Sequence, residues 1–185
     1  MRRSHVVVGL VLLFAAGCAE SAGPARSGAP GPASATDVAW MEGFCTVVDD
    51  LRTGLWGSPV DPGPGDVAAL RESLGTGLSG AADALGVAVD GLDSLPDKPP
   101  AGGAEAVSGL DDRLTSLRDS VVTGQDSLAA LPPDATEQEV GGVMADVWPK
   151  VAARAGKPLE GVAVSGEMKA AASSPACRSV PGLGS

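Results

Sequence analysis

From residue 37 onward, apolar side chains recur every three or four positions, which is the spacing of an amphipathic helix. The first such segment is expected to be capped by Thr36 or Asp37 and to end at Gly57-Ser58-Pro59. Its apolar stripe consists of Trp40, Phe44, Val47, Val48, Leu51 and Leu55. A second helix is predicted over about 66–95 and a third over about 107–131. Each of these two ends at a Leu-Pro pair and a short turn separates them, so they should form an antiparallel hairpin.

A fourth helix is predicted to begin at the capping box Thr136-Glu137-Gln138-Glu139 and to end at Lys157-Pro158. Its inward positions are Val140, Val143, Val147 and Val151. A weaker last helix is expected after residue 159, halted by Pro175, which would leave a short extended arm. No segment alternates with a period of two for long enough to predict a strand. The predicted fold class is therefore all-α: an antiparallel up-and-down bundle of four main helices with a short C-terminal helical segment, over residues 36–180, followed by a disordered tail at 181–185.

The N-terminal pattern differs from that of the bundle and predicts an export signal. Arg2 and Arg3 precede an uninterrupted apolar stretch, 6–16, which is shorter than a membrane-spanning helix. Ala15-Ala16-Gly17 then leads into Cys18, as in a bacterial lipobox, where the cysteine thiol receives a diacylglyceryl group. Residues 1–17 are thus predicted to be a lipoprotein signal peptide. The alternatives are an uncleaved helical anchor and a plain secretory signal with an incidental cysteine.

The segment after Cys18 has the composition of a linker. Residues 19–35 are rich in Ala, Gly, Pro and Ser without apolar periodicity, so residues 18–35 are predicted to be a lipidated N-terminus and flexible tether. Lipidation of Cys18 would attach the chain to the membrane at its extracytoplasmic face.

Composition and charge narrow the range of partners. The chain of 185 residues is 44% hydrophobic and only 3% aromatic, so its core must be built from small aliphatic side chains. It carries 23 acidic and 13 basic residues, and removal of the signal peptide would make the balance more acidic. Such a surface repels nucleic acid and anionic headgroups, so neither is an expected partner. The glycines of the second helix predict either close helix approach or a soft, irregular helix.

The cysteines and aromatic residues are the candidate site residues. With Cys18 assigned to lipid, Cys45 and Cys177 remain, and two thiols outside the cytoplasm normally form a disulfide. The alternative is two buried free thiols. Trp56, at the end of the first helix, is expected to cover the end of the bundle or, alternatively, to be exposed as a partner or ligand contact.

Taken together, several features resemble the small secreted helical lipoproteins of actinobacteria. They are the lipobox cysteine, the tether, Trp40-(x)3-Phe44-Cys45, and the closing segment from Glu167 to Cys177. The resemblance implies a lipid anchor, a helical fold and a terminal disulfide. It carries over no biochemical activity.

Known catalytic patterns are not evident in the sequence. The one histidine, His5, lies within the signal peptide, so a mature chain has no histidine base or metal ligand. The pairs Asp49-Asp50 and Asp111-Asp112 point about 100° apart on a helix and are interpreted as solvated acidic faces. We therefore expect no catalytic activity, no cofactor and no metal. The expected role is an interaction or structural module of the cell envelope, with an envelope protein as partner; the alternative is carriage of a small apolar or lipid ligand in a cleft of the bundle.

Overall fold

A computed structural model describes residues 32–57 and 66–183 of the chain. Over these residues it contains helices and no strand, which confirms the all-α class. The helices are α1 (Ala35–Trp56), α2 (Val67–Asp93), α3 (Gly103–Ala130), α4 (Glu137–Gly156), α5 (Gly166–Ala171) and α6 (Pro175–Arg178). The four long helices begin and end within a few residues of their predicted bounds.

Consecutive long helices run antiparallel. Between α1 and α2, Gly54 lies against Ala84 and Val47 lies against Gly91, so the residue numbers rise along one helix and fall along the other. Between α2 and α3, Gly86 lies near Arg118 and Gly75 lies near Leu128, so the numbers again run in opposite directions. Between α3 and α4, Gly124 lies near Val147, and Arg113 reaches Gly161 beyond the end of α4. The predicted up-and-down bundle is thereby confirmed.

The helices are staggered along the bundle. Because Gly54, near the end of α1, lies beside Ala84, residues 67–83 of α2 continue about 25 Å past that point. There the core is built by α2, α3 and α4, since Gly124 of α3 contacts both Val147 and Leu78. At the other end of the molecule, α5 and α6 pack against α1.

The core follows the predicted apolar stripes. Trp40 and Phe44 are buried and stacked, with ring centroids 5.5 Å apart, and the Trp40 indole N–H donates to the carbonyl of Pro96 at 3.1 Å. In α4, Val140, Val147 and Val151 are buried as predicted, and Val143 is half-buried. Side chains of Leu, Val, Ala and Met fill most of the remaining space.

Helix starts are fixed by side-chain caps. The Thr136 capping box is confirmed: its hydroxyl accepts from the amide of Glu139, and the Glu139 carboxylate accepts from the amide of Thr136. The predicted cap of α1 was wrong. Ser34, not Thr36 or Asp37, caps this helix, and Asp37 serves as the reciprocal acceptor of a second capping box.

The C-terminal segment differs most from its prediction. The chain from 157 to 165 forms turns and irregular structure rather than a helix, and α5 begins only at Gly166. Pro175 does not halt a helix but starts α6, at a position where the missing amide is not needed. Ser165 connects this segment to the α2–α3 turn, because its hydroxyl donates to the carbonyl of Ala101 at 2.6 Å and caps α5. Leu183 is buried, so the packed chain extends beyond residue 180.

Helix α2 is continuous despite its glycines, and one of them, Gly91, permits a close contact with a neighbouring helix. A Cβ added at Gly91 would lie 2.9 Å from a methyl group of Val47, closer than such carbons normally pack. Gly91 thus allows α1 and α2 to approach each other closely.

The predicted signal peptide 1–17, the lipidation site Cys18, the tether as far as residue 31 and the last two tail residues lie outside the described residues. Among the helices of the described ranges, none is both long and apolar enough to cross a membrane.

Candidate functional site

Cys45 and Cys177 are brought together across the fold. They are separated by 132 positions in sequence, and their Cα atoms lie 4.9 Å apart at disulfide distance. Both side chains are 0% exposed. Cys45 lies on the inner side of α1 and Cys177 on α6, so the pair fixes the C-terminal segment to the first helix.

The short helix α6 is also fitted closely around this pair. Ser174, a buried polar residue, directs its hydroxyl at the Cys177 sulfur at 3.5 Å and precedes Pro175 at the start of the helix. The backbone amide of Cys177 donates to the carbonyl of Ser174 at 3.2 Å. The local turn therefore presents Cys177 toward α1.

Trp56 does not cover the end of the bundle, so the preferred prediction for this residue was wrong. Its side chain is 59% exposed, and the helix it terminates ends beside the middle of α2 rather than at the end of the bundle. The alternative, an exposed contact residue, agrees with this position. Trp56 lies about 16 Å along α1 from Cys45, so the two belong to different parts of the surface.

An open groove of about 770 Å³ runs between α3 and α4. Val143 and Val147 line it, but most of the residues around it have polar or charged side chains. Asp112, Thr115, Ser116, Asp119, Ser120, Thr123, Ser127, Asp146 and Lys150 supply that polar lining. The groove thus differs from a cleft lined by Leu and Val side chains, which would favour an apolar ligand.

The acidic pairs are not part of a metal-ligating group in the described ranges. Within residues 32–57 and 66–183, no three His, Cys, Asp or Glu side chains are grouped so that they could hold a metal ion. Asp49 forms an ion pair with Arg52 at 3.0 Å, while Asp50 is exposed. Asp111 is half-buried and one of its carboxylate oxygens has no hydrogen-bond partner among these residues, whereas Asp112 is exposed. Each pair thus splits between two directions, as predicted for adjacent helix positions.

Three arginines donate hydrogen bonds to main-chain carbonyls at or after the ends of helices. These contacts were not predicted from the sequence. Arg71 donates to the carbonyls of Ala129, Leu131 and Pro132 at the end of α3, at 2.8–3.2 Å. Arg113 donates to Gly161.

Arg154 donates to the carbonyls of Pro158 and Glu160, just beyond the end of its own helix α4. Partial burial lowers the pKa of Arg154, the neighbouring positive charge of Arg113 lowers it further, and Glu160 opposes the shift. Both arginines thus contact the turn that follows α4, where their positive charges oppose each other.

A comparison of the chain with protein-family models, with curated proteins and with solved structures finds no match.

Proposed function

We propose that this chain is a lipid-anchored protein of the cell envelope, whose helical bundle acts as an interaction module on the outer side of the membrane. One observation carries the proposal: Cys45 and Cys177 lie at disulfide distance, which leaves Cys18 as the remaining cysteine. A buried disulfide suits an oxidising compartment outside the cytoplasm. Cys18 stands directly after an apolar stretch and three small residues, where a lipoprotein signal peptidase would cleave.

The position of α1 supports an attached but accessible domain. The helix begins at Ala35, so the linker 18–34 separates the anchor from the bundle. A chain of this composition spans about 20–25 Å on average, enough to hold the domain near the membrane without inserting it. Attachment would then depend on the acyl chains, each buried methylene of which contributes about 0.8 kcal/mol.

Cys18→Ser tests the anchor. We expect the variant to lose lipid and to leave the detergent phase on phase partitioning, whereas Ser21→Ala, a small change three residues downstream, should partition like the wild type. A Cys18→Ser protein that enters the detergent phase as strongly as the wild type would show that Cys18 is not the anchor.

The interaction surface is proposed to include Trp56. Tryptophan is enriched among the residues that dominate binding energy, and Trp56, which is 59% exposed, leaves more than half of its surface available to a partner. A photo-crosslinking residue at position 56 should give a discrete adduct in intact cells. Val87, which is 66% exposed on α2, is the matched position and should give none. An identical pattern at both positions, or no adduct at 56, would remove Trp56 from the proposed surface.

A further inference from the structure

Three cationic side chains meet in one groove of an otherwise acidic chain. Arg113 of α3 and Lys150 and Arg154 of α4 line an open groove of about 530 Å³. The whole chain has 13 basic against 23 acidic residues, whereas three cations and one carboxylate line this groove. This groove, lined by Arg113, Lys150 and Arg154, is called the basic groove below.

The two arginines are held in place by backbone carbonyls rather than by carboxylates. Arg113 donates to the carbonyl of Gly161 at 2.9 Å, and Arg154 donates to those of Pro158 at 2.9 Å and Glu160 at 3.4 Å. Glu160 and Gly161 are consecutive, so both arginines are bound to the same turn. Each arginine uses one terminal nitrogen for these bonds, and a guanidinium has five N–H donors, so several donors remain for a ligand.

Gly161 is required for this arrangement. Its φ is +75°, and a Cβ at this position would lie 2.8 Å from a terminal nitrogen of Arg113. The absence of a side chain therefore lets Arg113 approach the turn closely enough to reach the carbonyl. The donors are preorganised before any ligand arrives.

The charges of the basic groove are not neutralised within it. Among residues 32–57 and 66–183, the ion pairs join Arg52 to Asp49 and Lys157 to Glu160, and neither involves a cation of the groove. Asp112 lines the same groove, and Glu160, which forms an ion pair with Lys157, also attracts Arg154. Lys150 borders the adjoining groove as well, where Asp119 and Asp146 lie. None of these carboxylates forms an ion pair with Arg113, Lys150 or the half-buried Arg154 among the described residues, so the charged donors of the groove are open to an anion.

We propose that the basic groove binds a small oxyanion, such as a phosphate or carboxylate group, between Arg113, Lys150 and Arg154. Planar guanidinium groups and an ammonium are the donors that bind such oxygens in proteins, and a bound anion would relieve the repulsion between the two arginines. The acidic remainder of the surface repels extended polyanions, which favours a small ligand. This inference goes beyond the proposed function and does not depend on the lipid anchor.

Titration of the full chain in a non-ionic detergent with inorganic phosphate tests the proposal. At constant ionic strength set with chloride, phosphate should raise the melting temperature in a saturable manner, because it binds the folded state. Lys150→Gln should weaken phosphate binding about tenfold, which corresponds to the loss of one charge-assisted hydrogen bond. Lys150 is exposed and outside the carbonyl contacts of the turn, so the variant should fold like the wild type.

The control is Lys98→Gln, which removes the same charge from the α2–α3 turn and should leave phosphate binding unchanged. Short-chain phosphatidylglycerol, below its micellar concentration, identifies the source of the anion. If it binds more tightly than free phosphate and depends on Lys150, the ligand is a headgroup; if free phosphate binds more tightly, the ligand is soluble. No saturable response to either anion, or equal responses in wild type and Lys150→Gln, would overturn the proposal.

Discussion

At the scale of single residues, Arg71 illustrates how one side chain completes a helix on a neighbouring element. The last carbonyls of a helix have no partner within it, and a cation there also complements the helix dipole. Arg71, on α2, donates to three carbonyls at and beyond the end of α3, of which that of Leu131 lies in a partly buried position. The contact joins the N-terminal part of α2 to the turn before α4.

Arg71→Gln should lower the free energy of unfolding by about 1–3 kcal/mol, because it leaves these carbonyls without their charged donor. The midpoint of urea denaturation measures this loss. Arg178→Gln removes the same charge from an exposed position on α6 and should change the midpoint little. Equal effects of the two substitutions would show that only the net charge matters.

Residue patterns predict such contacts poorly. Arg71 and its carbonyl partners are separated by 58–61 positions, and a carbonyl leaves no signature in the sequence.

The cap of α1, in contrast, could have been predicted from the sequence, because Ser34 and Asp37 have the spacing of a capping box. The predicted start was two residues too late because it was placed next to the first apolar position. The exposure of Trp56 depends on the stagger of α1 against α2, which periodicity does not encode.

At the scale of elements, two glycines of α3 have opposite environments. A Cβ at Gly124 would lie 2.8 Å from a methyl group of Val147 on α4, whereas one at Gly109 would meet nothing within 4 Å. Both lie inside the helix, where alanine is favoured over glycine by about 1 kcal/mol. The close approach of α3 and α4 therefore depends on one of them and not on the other.

Gly124→Ala should lower the free energy of unfolding by about 1–2 kcal/mol, since the overpacking exceeds the gain in helix propensity. Gly109→Ala should raise it by up to about 1 kcal/mol. Chemical denaturation of the two variants provides the comparison. Stabilisation by both substitutions would mean that α3 and α4 are packed more loosely than described.

The start of α4 should respond to pH through its capping box. Hydrogen bonds from the backbone and hydroxyl of Thr136 hold the pKa of Glu139 below its ordinary value of 4.5. Since the folded pKa is the lower one, the ionised carboxylate stabilises the fold fully above pH 4.5, and this contribution is lost as the pH falls through the folded pKa.

Glu139→Gln should therefore destabilise the protein at neutral pH and become equal to the wild type in strongly acidic solution. Unfolding free energies measured across this pH range test the convergence. Glu137→Gln, an exposed substitution in the same helical turn, should not reproduce it. A difference between wild type and Glu139→Gln that is constant with pH would exclude the capping carboxylate as its source.

The same scale shows where pattern-based prediction succeeded. Helices α1 to α4 are each at least 20 residues long. Their apolar side chains therefore repeat over many turns, and this repeat identifies a helix from the sequence. The C-terminal segment contains two helices of 6 and 4 residues, too short to carry a periodic signal. Such helices form because tertiary contacts hold them, here Ser165 against Ala101 and Cys177 against Cys45.

At the scale of the whole molecule, the Cys45–Cys177 pair connects the beginning and the end of the bundle. Besides α2 and α4, α1 packs against α5 and α6, and these two short helices bury few large side chains. Met168 and Cys177 are the largest that they bury completely. The C-terminal segment is therefore expected to depend strongly on its covalent attachment.

Cys45→Ala/Cys177→Ala should lower the free energy of unfolding by several kcal/mol. A cross-link across 132 positions is worth about 5 kcal/mol in the chain-entropy model. Because both sulfur atoms are in the bond and Cys18 is proposed to carry lipid, the wild type denatured without reductant should show no thiol that reacts with an alkylating reagent. Non-reducing mass spectrometry should find the two peptides joined.

A reduced wild type separates the bond from the packing of the cysteine side chains. Protein reduced in denaturant and refolded under reducing conditions retains both sulfur atoms but lacks the cross-link. If it is as unstable as the double alanine variant, the bond accounts for the loss, and the segment after residue 157 should be the first to become sensitive to proteolysis. If the reduced protein instead unfolds at the same denaturant concentration as the oxidised protein, packing alone holds α6 on α1.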